Sequence, residues 1–197
     1  MGMDAFELLV EAHRPAMKPV LAKLVRLLEA HHVRYVIGGA TALSLYIRPR
    51  MTIDVDAFVD PTHKEELDRL LAANFEVVNV GRFHSKFKEA DVEIDILYAG
   101  ASAEDFALAH GRDAVILGTP LKAASPEALL WLYVASEKPI NFADAIALLR
   151  ARPELDVALV RRHLERDQPE LAEKLKKMQT TARQPEPSYE ESRARRS

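Results

Sequence analysis

The residues best placed to do chemistry in this 197-residue chain are two aspartates one residue apart, Asp54 and Asp56, in the run MTIDVDAFV. Side chains alternate faces along a strand, so Thr52, Asp54, Asp56 and Phe58 share one face, and Ile53, Val55, Ala57 and Val59 are offered to a core. Two neighbouring carboxylates repel, and like charges side by side on a sheet are destabilising. A divalent cation removes that cost, and an all-oxygen set suits Mg2+ or Mn2+. Upstream, Gly38-Gly39 follows the apolar run VRYVI and precedes ATALSLY, which reads as strand, turn and helix. A glycine turn at a helix start lets backbone N–H groups approach an anion closely. Phosphate at the glycines and metal at the aspartates make one constellation.

Arg48 and Arg50 flank Pro49 in the loop just before the aspartate strand. Arginine pairs bidentately with phosphate, so Arg50 in particular reads as a clamp on a triphosphate or on the second substrate. Farther along, VEIDILY reads as a strand with Val92, Ile94 and Ile96 on one face and Glu93, Asp95 and Leu97 on the other. Lys86 and Lys88 share a face of the preceding strand and read as charges that protect a sheet edge.

Strand, Gly-Gly, helix, Asp-x-Asp and a third acid on a later strand resemble the nucleotidyltransferase superfamily related to DNA polymerase beta. The form GGATAL…RPRMTIDVD is similar to minimal bacterial members that include abortive-infection and toxin-type nucleotidyltransferases; aminoglycoside nucleotidyltransferases share the core signature. The resemblance runs from Val33 to about Leu149 and is specific from Gly38 to Asp56. It implies an α/β (α+β) fold, a mixed sheet flanked by helices with a C-terminal helical part. It also implies that Asp54, Asp56 and a third carboxylate are catalytic and ligate Mg2+ or Mn2+. Asp95, set in IDIL, is the better match for the third position, with Glu93 in reserve.

By the same resemblance Gly38, Gly39, Thr41, Arg50 and Lys138 belong to the nucleotide site. The expected reaction moves NMP from an NTP to a hydroxyl of an acceptor, which is a tRNA, a protein or a small molecule such as an antibiotic. A toxin-type role would add an antitoxin protein as partner. Some family positions differ. Tyr133 stands where a lysine is frequent, Lys138 where arginine is common and Asn141 where aspartate is usual, while Asp144 is retained. The departures at Tyr133 and Asn141 favour the alternative, a catalytically silent protein that binds nucleotide or a partner, while the complete Gly-Gly, Asp-x-Asp and Asp95 set opposes it.

The elements that position these residues follow from apolar spacing and punctuation. Met17, Val20, Leu21, Leu24, Val25, Leu27 and Leu28 predict an amphipathic helix over Pro15 to His31. The His31-His32 pair at its end reads as structural, complementing the helix dipole. A second amphipathic helix is predicted over Pro61 to Ala73, then strands over Phe75 to Val80 and Arg82 to Lys88. Helix resumes at Ser102, a short strand covers Ala114 to Leu117, and Ser125 with Pro126 caps the next helix. One or two helices span Ala158 to Met178, broken near Gln168-Pro169, before a polar tail from Thr180 that reads as disordered. Three parts result: a core of residues 1–122, a helical region of residues 123–179 packed on it, and the tail 180–197.

At 48% hydrophobic, the chain can bury a core of its own. A net charge of −3 gives no global attraction to nucleic acid or anionic membrane. With no cysteine, disulfides, thiolate metal sites and cysteine nucleophiles are excluded. The sequence shows no signal peptide or membrane-spanning run, so a cytoplasmic protein is expected, with no membrane partner.

Overall fold

The computed structural model describes residues 5–100 and 102–185. A helix not foreseen from the sequence, α1 (Ala5–His13), precedes α2 (Met17–Ala30) and buries Phe6 and Val10. The apolar stripe of α2 is buried as its spacing requires, from Met17 through Leu28. His31 closes that helix, its Nδ1 2.9 Å from the Leu27 carbonyl, which agrees with a structural role for the histidine pair.

The chain then builds β1 (Tyr35–Ile37), the short helix α3 (Gly39–Leu43) and β2 (Asp54–Val59). A 3-10 turn (Pro61–His63) leads into α4 (Lys64–Ala72), so the predicted Pro61–Ala73 helix is regular only after its first turn. Three strands follow: β3 (Glu76–Val80), β4 (His84–Glu89) and β5 (Val92–Tyr98). Helix α5 (Ser102–Ala109) comes next, then a hairpin of β6 (Arg112–Ile116) and β7 (Thr119–Ala123). The sequence indicated only one strand here. Leu117 and Gly118 both have positive φ (52° and 74°), the backbone of a tight two-residue hairpin turn, and this turns the chain back on itself. Helices α6 (Pro126–Ala135), α7 (Pro139–Ala151), α8 (Val157–Asp167) and α9 (Ala172–Arg183) complete the described part.

The seven strands form one mixed sheet in the order β3-β4-β5-β2-β1-β7-β6. The α/β reading with a C-terminal helical part holds. β2 runs parallel to β5 and antiparallel to β1, and β1 is parallel to β7. β4 lies between β3 and β5, so Lys86 and Lys88 are not on an edge strand. Val55, Ala57, Val59, Ile94 and Ile96 are fully buried on the face opposite the aspartates. Phe58, expected on the aspartate face, is also buried, because the strand is covered on both sides at that end.

Ser125 caps α6, its hydroxyl accepting from the Ala128 N–H at 3.2 Å with Pro126 in the first turn, as expected. Helix α9 continues to Arg183, past the expected start of the tail. The Arg150 guanidinium donates to the Thr181, Ala182 and Gln184 carbonyls and anchors that helix end. The rest of the predicted tail, from residue 186, lies outside the described residues. None of the helices among the described residues is long and apolar enough to cross a membrane.

Candidate active site

Strand register assembles the acidic part of the site. In the parallel β2–β5 pair Asp56 lies opposite Asp95 and Asp54 opposite Glu93, so all four carboxylates share one face. Asp54, Asp56 and Asp95 converge: one ligand oxygen from each lies within 4.8 Å of the others. Glu93 turns aside to Lys86, with Oε2 accepting from Nζ at 2.7 Å, and that ion pair holds its carboxyl below the usual range. The structure thus groups Asp95, and not Glu93, with the Asp-x-Asp pair.

Each acid of the trio has a different setting. Asp54 accepts a hydrogen bond from the Thr52 hydroxyl. Asp95 is nearly buried, and its Oδ1 meets His84 Nε2 at 2.7 Å and Lys86 Nζ at 3.5 Å. Asp56 sits at the floor. Desolvation there, with repulsion from Asp54 and then Asp95, pushes its carboxyl up to about 7; Lys138 and Arg50 offset part of that rise. Three converging hard oxygen donors form a set that fits Mg2+ or Mn2+, since a divalent cation neutralises the repulsion that Asp54 and Asp95 exert on Asp56.

The glycine turn lies directly against these acids. Gly38 N–H donates to the Asp56 carbonyl at 2.9 Å, fastening the turn to β2. Gly39 has φ +55°, and a Cβ there would stand 1.8 Å from Asp56 Oδ2. Glycine is therefore required at this position twice over, by backbone conformation and by the carboxylate beside it. Thr41, expected at the nucleotide, is instead buried beneath the turn, with its hydroxyl 3.5 Å from the Asp54 carbonyl. It supports the strand and does not reach the cleft wall.

Above the acids opens a cleft of about 800 Å³, a size suited to a nucleotide. Arg50, Lys138, Tyr133, Asn141 and Gly39 line it. Arg50 grips Asp144 of α7, with Nε at 3.1 Å from both carboxylate oxygens and an Nη2–Oδ2 contact of 2.7 Å. This bidentate pair keeps the guanidinium firmly charged and ties the loop before β2 to the C-terminal helices. Lys138 stands at the start of α7 on the rim, exposed.

Tyr133 and Asn141 also face this cleft. Tyr133 is buried in α6, and its hydroxyl donates to the Gly39 carbonyl at 3.1 Å; burial raises its pKa further. Asn141 Nδ2 donates to Ser136 Oγ at 2.8 Å. The structure thus brings together Asp54, Asp56, Asp95, Gly39, Arg50 and Lys138, leaves Thr41 in the core, and seats Gly38 against the Phe58 ring.

Sequence reasoning missed His84 and the bridging role of Lys86. Their signal was the turn Glu89-Ala90-Asp91. A two-residue connection at Ala90-Asp91, with Ala90 at φ 53°, fixes the β4–β5 register and sets Lys86 opposite Asp95.

No family model and no curated protein sequence matches the chain. The solution structure of the antibiotic-resistance factor ANT(2'')-Ia is similar with a TM-score of 0.58 and 17% identity, over 85% of this chain and 95% of that one. The crystal structure of ANT(2'')-Ia in complex with adenylyl-2''-tobramycin gives a TM-score of 0.52 at 20% identity, over 85% of this chain and 97% of that one. At these identities the likeness establishes the fold alone, which this chain shares with ANT(2'')-Ia.

Proposed function

We propose that this protein is a metal-dependent nucleotidyltransferase that moves NMP from an NTP to a hydroxyl group of an acceptor. The observation that carries the reading is the convergence of Asp54, Asp56 and Asp95 within 4.8 Å, two of which, Asp54 and Asp56, line a nucleotide-sized cleft beside the Gly39 turn. Asp54, Asp56 and Asp95 would hold Mg2+ or Mn2+. Bound there, the metal would neutralise triphosphate charge and stabilise the entering and leaving oxygens of an in-line displacement.

The chain's own groups supply the rest. Arg50 and Lys138 face the acids across the cleft and bind the anionic triphosphate, the first held in aim by Asp144. The acceptor oxygen forms a bond to the α-phosphorus while the bond to the bridging oxygen of the β-phosphate breaks, so pyrophosphate leaves. The acceptor's hydroxyl proton passes to the Asp95 carboxylate. Because such transfer depends chiefly on positioning and charge, a site of this size suffices.

The donor proposed first is ATP, in keeping with the adenylylated ligand named for ANT(2'')-Ia. A hydroxylated small molecule, a tRNA and a protein hydroxyl are the acceptor classes, and a toxin role would bring in an antitoxin partner. The test is incubation of the purified protein with each α-labelled NTP, Mg2+ or Mn2+, and each acceptor class in turn, followed by size separation. The expected result is label on one class with release of pyrophosphate. Binding of metal–NTP with no transfer to any class would support the silent binder, a reading motivated by Tyr133 and Asn141 at the cleft wall. Absence of any nucleotide binding would overturn the assignment.

A further inference from the structure

Strand β4 brings two side chains to the third carboxylate. His84, Lys86 and Lys88 alternate onto the acid face. Lys86 divides itself between Glu93 at 2.7 Å and Asp95 at 3.5 Å, the shorter contact going to Glu93. His84 Nε2 is aimed at Asp95 Oδ1 at 2.7 Å. Against an ionised carboxylate that contact requires the proton on Nε2, so the ring is the donor. Neither residue is needed by the fold core: the His84 side chain is 44% exposed and that of Lys86 27%, whereas Asp95 is 10% exposed.

The three acids repel one another, and each must be held at its post. Asp54 has the Thr52 hydroxyl, and Asp56 is flanked by the Gly39 turn. Asp95, on a separate strand, is restrained from β4. We infer that His84 is a positioning residue: it fixes the Asp95 carboxylate in the orientation that meets the metal and receives the acceptor's proton. The inference rests on the proposed function of this site. Groups that orient a metal-binding carboxylate affect metal affinity or activity by roughly 10–100-fold when removed.

The experiment is a double-mutant cycle read by Mn2+ binding, using electron paramagnetic resonance on the full-length protein, alongside transfer kinetics. His84→Ala should weaken Mn2+ binding about 10-fold or more and lower kcat with little change in KM for NTP. In an Asp95→Asn background the same substitution should change nothing further, because its target is gone. His84→Gln, whose amide N–H can reach the same oxygen, should restore most of the loss. Wild-type Mn2+ affinity in His84→Ala overturns the inference while leaving the proposed function standing. An equal loss in the Asp95→Asn background, or no recovery in His84→Gln, also overturns it by reducing His84 to a general structural role. If wild type binds no Mn2+, both the inference and the proposed function fall.

Discussion

The two halves of the cleft are built by different means. The acidic half comes from adjacent strands, where a period of two residues and one parallel register bring Asp54, Asp56 and Asp95 together. The opposite half comes from a loop and two helices far apart in sequence, where Arg50 meets Asp144 across 94 residues and Tyr133 reaches back to the Gly39 carbonyl. Backbone hydrogen bonds fix the first half, so its geometry tolerates sequence change around it. Single side-chain contacts fix the second, so each replacement there re-aims a group. Replacements at positions 133 and 141 are therefore compatible with an intact acid trio.

The sharpest way to break the comparison is to disable the acidic half. Asp54→Asn with Asp56→Asn should abolish Mg2+-dependent NTP binding and reduce transfer by about 10,000-fold or more, roughly 5.5 kcal/mol in the barrier. Calorimetry showing unchanged Mg·ATP affinity would remove the site from these residues.

A finer cut within that half uses its two candidate third acids. Asp95→Asn should weaken binding of nucleotide-free Mn2+ at least as much as His84→Ala does. It should leave Mg·NTP binding, carried by Asp54, Asp56 and the triphosphate, largely intact, and cost about 100- to 10,000-fold in transfer. Glu93→Gln should change the rate less than threefold or so, because Glu93 is engaged with Lys86 and stands outside the trio. Side-by-side kinetics with the reverse ranking would show the wrong carboxylate has been chosen.

Arg50→Ala tests the other half. It should weaken NTP binding about tenfold, near 1.4 kcal/mol. It should also destabilise the protein by about 2–3 kcal/mol, because Asp144 is buried and loses its partner. Melting curves and nucleotide titrations separate the two effects, and unchanged stability would mean the ion pair does not join the halves.

The pH dependence of stability distinguishes the halves without any substrate. The Asp56 carboxyl is raised from 3.8 to about 7 in the folded protein. Folding therefore favours its protonated form, and the stability this contributes is complete below about pH 4 and lost as pH rises through about 7. Metal-free protein in EDTA should melt several degrees higher at pH 5.5 than at pH 8. Asp56→Asn should flatten that difference, and Mg2+ should stabilise wild type most at pH 8. The smallest effect belongs to Tyr133→Phe, which removes one hydrogen bond to Gly39. It should cost about 1 kcal/mol in thermal unfolding while leaving Mn2+ affinity unchanged.

The sequence by itself determined the Asp-x-Asp pair of the acidic half and the elements that carry it. The alternation in DVDAFV and VEIDILY, the glycine pair after an apolar strand, and the stripe of α2 are local patterns governed by periods of two and 3.6 residues, and local periodicity survives folding unchanged. Gly39 was legible as a required glycine, although the structure alone gave the second reason, the Asp56 carboxylate beside it. Tertiary structure decided the rest. Whether Glu93 or Asp95 joins the pair depended on which of them Lys86 claims, a matter of the β4–β5 register. Thr41 went to the core because a five-residue helix pressed against β2 leaves it no path to the cleft. Arg50 found Asp144, and His84 found Asp95, through contacts between elements whose approach no local pattern encodes. Burial then moved the Asp56 carboxyl to near neutrality, an electrostatic outcome that exists only once three acids and a covered strand occupy the same few ångströms.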